Sequence, residues 1–377
     1  MRKTNLTAIY SLICLLFLAV SSLASPAPAG SANPSYRESL QALEKTVPLT
    51  YNRFVQRQID AYLTSSQKGR FGRMLGLAEY YFPIYEKVFH ERGLPEEIKY
   101  LSVVESALNP NAMSSYGAGG LWQFLWQYGK IYGLTINDSI DERRDPALSA
   151  NAAASYLLDS YAMYNDWLLA IASYNSGRNN IKWAMEKADS AGLQIDYWSI
   201  RQFLPKESQQ YVPAYIATVY VMNNYRKHGI RPVMPGFPIR TETISVNKPV
   251  SLAAVAQATE SNPEDLFLLN AAYLNGTVNG SPEAPKNLIV PVLPDYSYNA
   301  LCTLLGIPNT RIAKAAPVKP APPRARYYIS YRVQPGDTPT SIAEKFKGVT
   351  AEEIKAANRL SGDTLNPMSM LKIPQYK

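Results

Sequence analysis

The chain has 377 residues, of which 46% are hydrophobic, and it carries a formal net charge of +8. This length and composition favour a folded protein with one sizeable core and smaller satellite modules, and they exclude a chain without folded structure. The positive charge suits an anionic polymer or surface, and it equally suits simple solubility.

The first predicted element is an export signal at residues 1–24. Arg2 and Lys3 precede an apolar run over residues 9–20, and Ser22-Leu23-Ala24 then supplies the small residues that a signal peptidase prefers at its cleavage site. The run is short for a membrane span, so we expect export to the periplasm or cell envelope. Membrane association is expected only if the segment is retained as an anchor.

Cysteine and histidine usage argues against two kinds of site. Cleavage of the signal would remove Cys14 and leave Cys302 alone, which excludes a disulfide framework. His90 and His228 are far apart in the sequence and belong to no motif with metal-ligand spacing. We therefore predict no metal site, and nothing in the sequence indicates a cofactor.

The next stretch reads as helices separated by short turns. Residues 36–90 are predicted to form N-terminal helices that pack on a domain at residues 91–235. Leu94-Pro95 and Asp145-Pro146 are typical helix starts, and Asn109-Pro110 is a typical helix end. The pattern predicts one all-α domain.

An internal repeat follows, and each copy reads strand, helix, helix, strand. The segment "ISVNKPVSLAAVAQATESNPEDLFLLNAAY", with a later "LIVP", lies at 241–293 and aligns with "YRVQPGDTPTSIAEKFKGVTAEEIKAANRL", with a later "LKIP", at 327–377. Residues 294–326 between the copies read as a Pro/Ala-rich basic linker of extended geometry. The predicted fold class is a multidomain protein in which an all-α domain precedes small α+β modules.

A single glutamate lies on the apolar face of the predicted helix "EEIKYLSVVESAL". At 100° per residue, Glu105 falls about 20° from Ile98, inside the arc formed with Leu101, Val104 and Leu108. Burial disfavours a charged carboxylate, so we expect this side chain to keep its proton near neutrality. A protonated acid beside a cleft suits general acid catalysis. The helix alone equally allows a structural glutamate bonded to an arginine or to backbone amides.

Four motifs, in order along the chain, carry a resemblance to a known family. They are "GLPEEIKYLSVVESALNPNAMSSYGAGGLWQF", "DERRDPALSANAA", "ASYNSG" and "LPKESQQYV". With them the chain resembles the lytic transglycosylases of the goose-lysozyme-like superfamily, especially the membrane-bound type D group. The resemblance implies a lysozyme-like catalytic domain. It also implies cleavage, without water, of the β-1,4 bond between N-acetylmuramic acid and N-acetylglucosamine in peptidoglycan, leaving a 1,6-anhydro end.

The same resemblance assigns roles to individual residues. Glu105 matches the catalytic acid, which would protonate the departing oxygen and then accept the proton of the C6 hydroxyl. Ser114 and Gln123 match positions that line the sugar site. Tyr174 matches a tyrosine that faces the acid, and Tyr211 matches a further residue of the cleft.

The sequence departs from the family pattern directly after "WQF". The usual methionine-proline is replaced by Leu125-Trp126, and the usual threonine is replaced by Tyr128. Leu125 keeps an apolar wall of the sugar site, while Trp126 and Tyr128 change its shape and its hydrogen bonding.

No second catalytic carboxylate is indicated. Asp141, Glu142 and Asp145 suit ion pairing and helix capping, and Glu207 suits a helix start. One acid is sufficient if the sugar supplies its own nucleophile, in contrast to the two carboxylates of ordinary glycoside hydrolases.

The C-terminal copy of the repeat resembles LysM modules, which bind glycans that contain N-acetylglucosamine. The residues that carry this resemblance are "YRVQPGDTPTSIAEKF", Ile354, Asn358 and "LKIP". The earlier copy lacks the Gly-Asp of the first turn, so both sugar binding and a purely structural role are open for it. We expect peptidoglycan glycan strands as the partner, and no nucleic acid, because basic residues concentrate in the linker.

Two other functions are open on the sequence alone. A hydrolytic lysozyme-like muramidase on the same fold would add water to the cleaved bond. A catalytically weakened peptidoglycan-binding scaffold would keep its glycan contacts while the changes at Leu125, Trp126 and Tyr128 impair the cleft.

Overall fold

The computed structural model describes residues 33–311 and 327–375. The predicted signal at 1–24 lies outside these residues, as does the part of the predicted linker from 312 to 326. The chain divides into two compact units, one ending at Pro308 and one beginning at Asn309.

The first unit opens with a helical domain, here called the α-domain (residues 34–228). Its first three helices are α1 (Pro34–Leu43), α2 (Arg53–Tyr62) and α3 (Ser65–Arg92). The side chains of Asn33 and Asn52 cap α1 and α2 by accepting backbone N–H groups, and α3 ends at Gly93 with φ of 70°. These helices pack on the later ones, α2 against α10 and α3 against α6.

The other helices of the α-domain surround a continuous apolar core. They are α4 (Tyr100–Ser106), α5 (Trp126–Ile131), α6 (Pro146–Tyr164), α7 (Trp167–Ser176), α8 (Arg178–Ser190), α9 (Tyr197–Ile200) and α10 (Ser208–Asn224). Every residue of α7 is buried, as expected for a helix that lies in the centre of a bundle. The prediction of an all-α domain is confirmed.

Helix α4, which carries Glu105, is shorter than predicted. A 3₁₀ turn at Glu96–Lys99 precedes it, and α4 ends at Ser106, ahead of the predicted end. Ala107 and Leu108 follow with φ of 54° and 61°, in the left-handed region that residues with a β-carbon rarely adopt. Alanine and leucine favour helix, so the sequence offered no sign of this stop.

A first module (residues 241–305) follows within the same unit. Strand β1 (Thr241–Val246) pairs antiparallel with β4 (Lys286–Pro291), and β2 (Pro249–Ser251) pairs antiparallel with β3 (Thr277–Asn279). Helices α11 (Leu252–Thr259) and α12 (Pro263–Leu269) lie between the strands in the chain. The predicted order of strand, helix, helix, strand is confirmed, with the short pair β2–β3 in addition.

The linker predicted at 294–326 begins later than expected. Its first residues form helix α13 (Asp295–Leu305), which ends at Gly306 and packs against α11 in the core of the first module. The inward residues of α13 recur at helical spacing: Tyr298, Leu301, Cys302 and Leu305. The nearby prolines drew the prediction toward a linker, although this spacing was visible. Cys302, which the sequence left unexplained, is a core residue with an exposed fraction of 3%.

The second module (residues 327–375) belongs to the second unit. Strand β5 (Tyr327–Arg332) pairs antiparallel with β6 (Met370–Gln375), with helices α14 (Pro339–Lys345) and α15 (Ala351–Asn358) between them in the chain. Thr338 and Thr350 begin the two helices with capping boxes. The predicted βααβ order is confirmed here as well.

Candidate active site

Helix α4 directs Glu105 into the α-domain, where only 1% of the residue is exposed. The hydroxyl of Tyr211, on α10, donates a hydrogen bond to Oε1 of Glu105. Burial raises the pKa of Glu105 from 4.5 to about 8, although the hydrogen bond from Tyr211 acts in the opposite direction. The carboxyl is therefore largely protonated at neutral pH, as predicted from the helical pattern.

The alternative of a purely structural glutamate fits Glu97 better than Glu105. Glu97 is also buried, and its Oε1 accepts the backbone N–H of Thr46 at 2.9 Å. For Glu105, the described residues supply no arginine or backbone amide, and none of them donates to Oε2. One oxygen of this acid is therefore available to a ligand.

Two tyrosines from different helices lie close to the acid. Burial and the nearby Glu105 raise the pKa of both Tyr174 and Tyr211 well above the usual value. The hydroxyl of Tyr174 donates to the carbonyl oxygen of Trp122 at 2.8 Å, whereas the hydroxyl of Tyr211 bonds to the acid itself. The structure thus brings both predicted residues to Glu105, and the direct hydrogen bond comes from Tyr211.

Ser114 and Gln123 lie on one loop, here called the site loop (residues 112–124). Oγ of Ser114 accepts the backbone N–H of Ala118 at 3.0 Å, and Nε2 of Gln123 donates to the carbonyls of Ala112 and Gly120 at 3.2 and 2.9 Å. Both side chains therefore hold the shape of the loop. Oε1 of Gln123 is buried and has no hydrogen-bond partner among the described residues.

The site loop is fastened to the helix that carries the acid. The hydroxyls of Ser102 and Ser106, on α4, both donate to the carbonyl oxygen of Leu121, at 2.9 and 2.8 Å. All three residues are buried. Movement of the loop would therefore disturb the position of Glu105.

Arg143 is a residue of the site region for which the sequence motifs predicted no role. Its guanidinium forms a two-pronged pair with Asp141, in which Nε–Oδ1 and Nη2–Oδ2 are each 2.8 Å. Its Nη1 donates to the carbonyls of Gly117 at 2.8 Å and Phe124 at 3.0 Å, so it connects the first glycine of the turn to the end of the site loop. The position of Arg143 within "DERRDP" gives no sign of this contact, which depends on tertiary structure.

The three residues that depart from the family pattern occupy the start of α5. Leu125 is half-buried and precedes the helix, and Tyr128 is partly buried against the core. Trp126 is 48% exposed, with the ammonium of Lys130 4.1 Å from its ring centroid. The large aromatic replacement therefore lies at the surface and does not fill the space around Glu105.

Three of the other acidic residues considered earlier, Asp141, Glu142 and Asp145, have structural partners, whereas the side chain of Glu207 makes no capping hydrogen bond. Glu207 directly precedes α10 as its N-cap residue. The partners of the rest are Arg143 for Asp141, Lys286 for Glu142, and the backbone N–H groups of Ala147 and Leu148 for Asp145. Across residues 33–311 and 327–375, no group of three or more His, Cys, Asp or Glu side chains is arranged to hold a metal ion.

A cavity of about 410 Å³ lies elsewhere in the first unit. It opens between residues 135–140 of the α-domain and Tyr273, Asn279 and Lys286 of the first module. None of the residues that the resemblance assigns to the sugar site lines it, so the chemistry is better placed at Glu105.

Three family models match the chain, in an order that follows its domains. The Transglycosylase SLT domain matches residues 84–195, the LysM-like domain of lytic transglycosylase MltD matches 240–298, and the LysM domain matches 331–374. Residues 84–195 of the chain therefore form an SLT domain. The predicted fold class, a helical lysozyme-like domain followed by LysM-type modules, is confirmed by these matches and by the observed elements.

Sequence relatives of this SLT-domain protein are themselves named as murein transglycosylases. It is 31% identical to membrane-bound lytic murein transglycosylase D of Escherichia coli K12 over 287 residues, which are 75% of this chain and 61% of that protein. It is 28% identical to membrane-bound lytic murein transglycosylase F of Stutzerimonas stutzeri over 141 residues, which are 34% of this chain and 28% of that protein. The chain thus spans about three fifths of the type D relative.

Among solved structures, this SLT-domain protein is similar to the 70 kDa soluble lytic transglycosylase SLT70 from Escherichia coli. The two share 17% identity with a TM-score of 0.34, over 53% of this chain and 31% of that one. The SLT assignment of residues 84–195 rests on the family model.

Proposed function

We propose that the chain is a peptidoglycan lytic transglycosylase. It would cleave the β-1,4 bond between N-acetylmuramic acid and N-acetylglucosamine and form 1,6-anhydromuropeptides. The observation that carries the proposal is Glu105, a buried acid with a pKa of about 8 and a single described hydrogen-bond partner, Tyr211. An acid of this kind holds a proton at neutral pH and has an oxygen to offer to a sugar.

The proposed reaction needs Glu105 twice. As the glycosidic bond breaks, the carboxyl gives its proton to the departing oxygen while positive charge develops at the anomeric carbon, stabilised by the N-acetyl group of the substrate. The carboxylate then accepts the proton of the C6 hydroxyl as that oxygen bonds to the anomeric carbon. No water is consumed, and Glu105 returns to its protonated state.

Tyr211 fits the intermediate stage of this cycle. Its hydroxyl already donates to Oε1 of Glu105. When Glu105 has lost its proton, the same hydrogen bond is made to a charged acceptor and becomes stronger. Tyr211 would therefore stabilise the carboxylate between the two proton transfers.

A hydrolytic muramidase has less support from the geometry. Two-carboxylate glycosidases use a second acidic group as base or nucleophile. In the described part of the chain, burial and Tyr211 account for the shifted pKa of Glu105, and no second carboxylate contributes. A substrate that supplies its own hydroxyl fits a site with one acid.

The modules and the predicted export signal suggest where the reaction takes place. We propose that the second module binds glycan containing N-acetylglucosamine and thereby raises the local concentration of enzyme at peptidoglycan. The N-terminal signal at 1–24 would bring the protein to the periplasm or cell envelope. Within the described ranges, no helix has the length and apolar content needed to cross a bilayer.

The proposal is tested by digesting purified peptidoglycan sacculi and analysing the fragments by mass spectrometry. We expect anhydromuropeptides from the wild type and a loss of about 10²- to 10⁴-fold in Glu105→Gln, because general acid–base catalysis contributes that much. The matched control is Glu97→Gln, which alters a buried glutamate of the same segment and should keep the activity. Products heavier by one water would instead identify a muramidase, and binding without cleavage would identify a scaffold.

A further inference from the structure

We propose that the first module supports the catalytic site by bracing the site loop. Arg143 connects the module to the loop and acts as a positioning residue. The proposal rests on the proposed function for the meaning of the site, whereas the contacts that carry it belong to the structure alone. It assigns the first module a role that does not require it to bind sugar.

The first contact is a short backbone ladder between the module and the α-domain. The N–H of Leu274 donates to the carbonyl of Ser139 at 3.0 Å, and the N–H of Asp141 donates to the carbonyl of Ala272 at 2.8 Å. Ile140 lies opposite Tyr273 in this antiparallel bridge. The module thus pairs with the α-domain segment that leads directly into Arg143.

The second contact is an ion pair next to this ladder. Nζ of Lys286, at the start of β4, lies 2.9 Å from Oε1 of Glu142, and the two side chains are 29% and 8% exposed. Oε2 of Glu142 accepts the backbone N–H of Thr135 at 2.7 Å. Because the carboxylate is mostly buried, removal of the lysine would leave a charge without its counterion.

Arg143 connects the segment held by the module to the site loop. Asp141, whose backbone is held by the module, pairs with the guanidinium, and the guanidinium holds the carbonyls of Gly117 and Phe124. The backbone carbonyl of Arg143 also accepts the N–H of Leu121 at 3.3 Å.

The glycines of "GAGG" make this close approach possible. A β-carbon on Gly119 would lie 2.9 Å from Cζ of Arg143, and one on Gly120 would lie 1.9 Å from its carbonyl oxygen. In the structure, the neighbour for which the glycines leave room is Arg143.

The last step connects the loop to the acid. The N–H of Leu121 donates to the carbonyl of Arg143, and the carbonyl of Leu121 accepts hydrogen bonds from the hydroxyls of Ser102 and Ser106 on the helix of Glu105. A continuous series of bonded groups therefore leads from the first module to the proposed catalytic acid. Loosening the module at its contact with residues 139–142 should loosen the site loop.

The structural test uses the full-length protein and amide hydrogen exchange of residues 112–124. We expect Lys286→Met to speed exchange of these amides roughly three- to tenfold, because local opening becomes easier when the bracing pair is lost. Lys286→Arg should restore the wild-type rate, since it keeps the charge. The matched control, Lys248→Met, alters an exposed lysine of the same module and should leave exchange unchanged.

The kinetic test separates positioning from glycan binding. A positioning role predicts that Lys286→Met lowers kcat about three- to tenfold, equally on short soluble peptidoglycan oligomers and on sacculi, with KM unchanged. The double variant Lys286→Met/Glu142→Gln should lose no more kcat than either single variant, because both changes remove the same ion pair. An effect confined to KM on long strands would overturn the proposal and indicate a sugar-binding module.

The two proposals fail in different ways. If the amide hydrogen exchange rates of the site loop are unchanged in Lys286→Met, the inference is contradicted, whether or not the protein cleaves peptidoglycan. A wild-type protein that forms no anhydromuropeptides would refute the proposed function, and the exchange experiment would still decide whether the module braces the loop.

Discussion

Glu105 links the chemistry of the site to the stability of the fold. Its pKa is 4.5 in an ordinary environment and about 8 in the folded protein, chiefly because of burial. Between these two values the unfolded chain has lost its proton while the folded protein retains it. The contribution of Glu105 protonation to the free energy of unfolding is therefore fully present below pH 4.5. It is lost as the pH rises through 8.

This argument predicts how Glu105→Gln changes stability with pH. The variant should be about as stable as the wild type near pH 4 and more stable at pH 9, by on the order of 4 kcal/mol, because glutamine has no proton to lose. Urea unfolding at pH 4, 7 and 9 measures the difference. Glu97→Gln serves as the control, and a gain that does not grow with pH would show that the pKa of Glu105 is not raised.

Tyr211→Phe should change the pKa of Glu105 in a defined direction. The hydrogen bond from Tyr211 lowers this pKa, so its removal should raise it and move the alkaline limb of the activity profile to higher pH. The rate at the optimum should fall, because the carboxylate formed during the reaction loses a donor. The measurement is the pH dependence of kcat.

The control for this variant lies one turn along the same helix. Tyr215 is equally buried, but its hydroxyl donates to the backbone carbonyl of Glu97 at 3.2 Å. Tyr215→Phe should leave the alkaline limb in place. If both variants shifted it alike, the effect would come from the packing of α10 and not from the hydrogen bond to Glu105.

The inward direction of Glu105 could be predicted because it depends on helical periodicity alone. Its bond to Tyr211 could not be derived that way, because the two residues are 106 positions apart in the chain. The family resemblance placed Tyr211 in the cleft, yet it named Tyr174 as the residue facing the acid. Which of two nearby hydroxyls reaches the carboxyl is decided by the packing of α7 and α10.

At the scale of elements, the site loop shows two glycines with nearly the same positive φ and different surroundings. Gly117 and Gly120 have φ of 79° and 78°. A β-carbon on Gly117 would meet nothing within 4 Å, whereas one on Gly120 would overlap the backbone of Arg143. The pair therefore separates the cost of a left-handed backbone from the cost of crowding.

We expect Gly117→Ala to destabilise the protein by about 1 to 2 kcal/mol, the cost of a left-handed conformation for alanine. Gly120→Ala should destabilise the protein more, by on the order of 3 kcal/mol or above, because the loop and the backbone of Arg143 must also move apart. Urea unfolding of both variants measures the difference. Equal costs would contradict the close approach of Arg143 to the loop.

The boundaries of elements show where sequence patterns stop being informative. Asp145-Pro146 marked a real helix start, because capping depends on local chemistry. The end of α4 at Ala107 depends on the loop that follows and is invisible locally. Helix α13 was missed for a different reason, since its helical spacing was present but adjacent prolines dominated the interpretation.

At the scale of the whole molecule, the two modules of the repeat have different relations to the α-domain. The first shares a compact unit with it, and the second lies in the unit that begins at Asn309. The sequence predicted both modules from their repeat. It could not predict that the first is bonded to the α-domain, because the bonds run from backbone groups at 272–274 that carry no sequence signature.

This difference predicts two outcomes of truncation. A chain that ends at Pro308 should keep the wild-type kcat on soluble oligomers and bind sacculi more weakly, because it loses only the tethered second module. A chain that ends at Arg240 lacks the first module and should lose kcat as well. Sedimentation with sacculi and single-substrate kinetics give the two readouts, and equal kcat in both truncations would contradict the division of roles.

The buried position of Cys302 has a practical consequence. It is the only cysteine within residues 33–311 and 327–375, and its thiol is enclosed between α13 and the remaining core of its module. An aromatic disulfide reagent can reach this sulfur only when that helix lifts away. In protein without residues 1–24, and therefore without Cys14, the rate of labelling measures the opening of this one small module, and no probe has to be introduced into the chain.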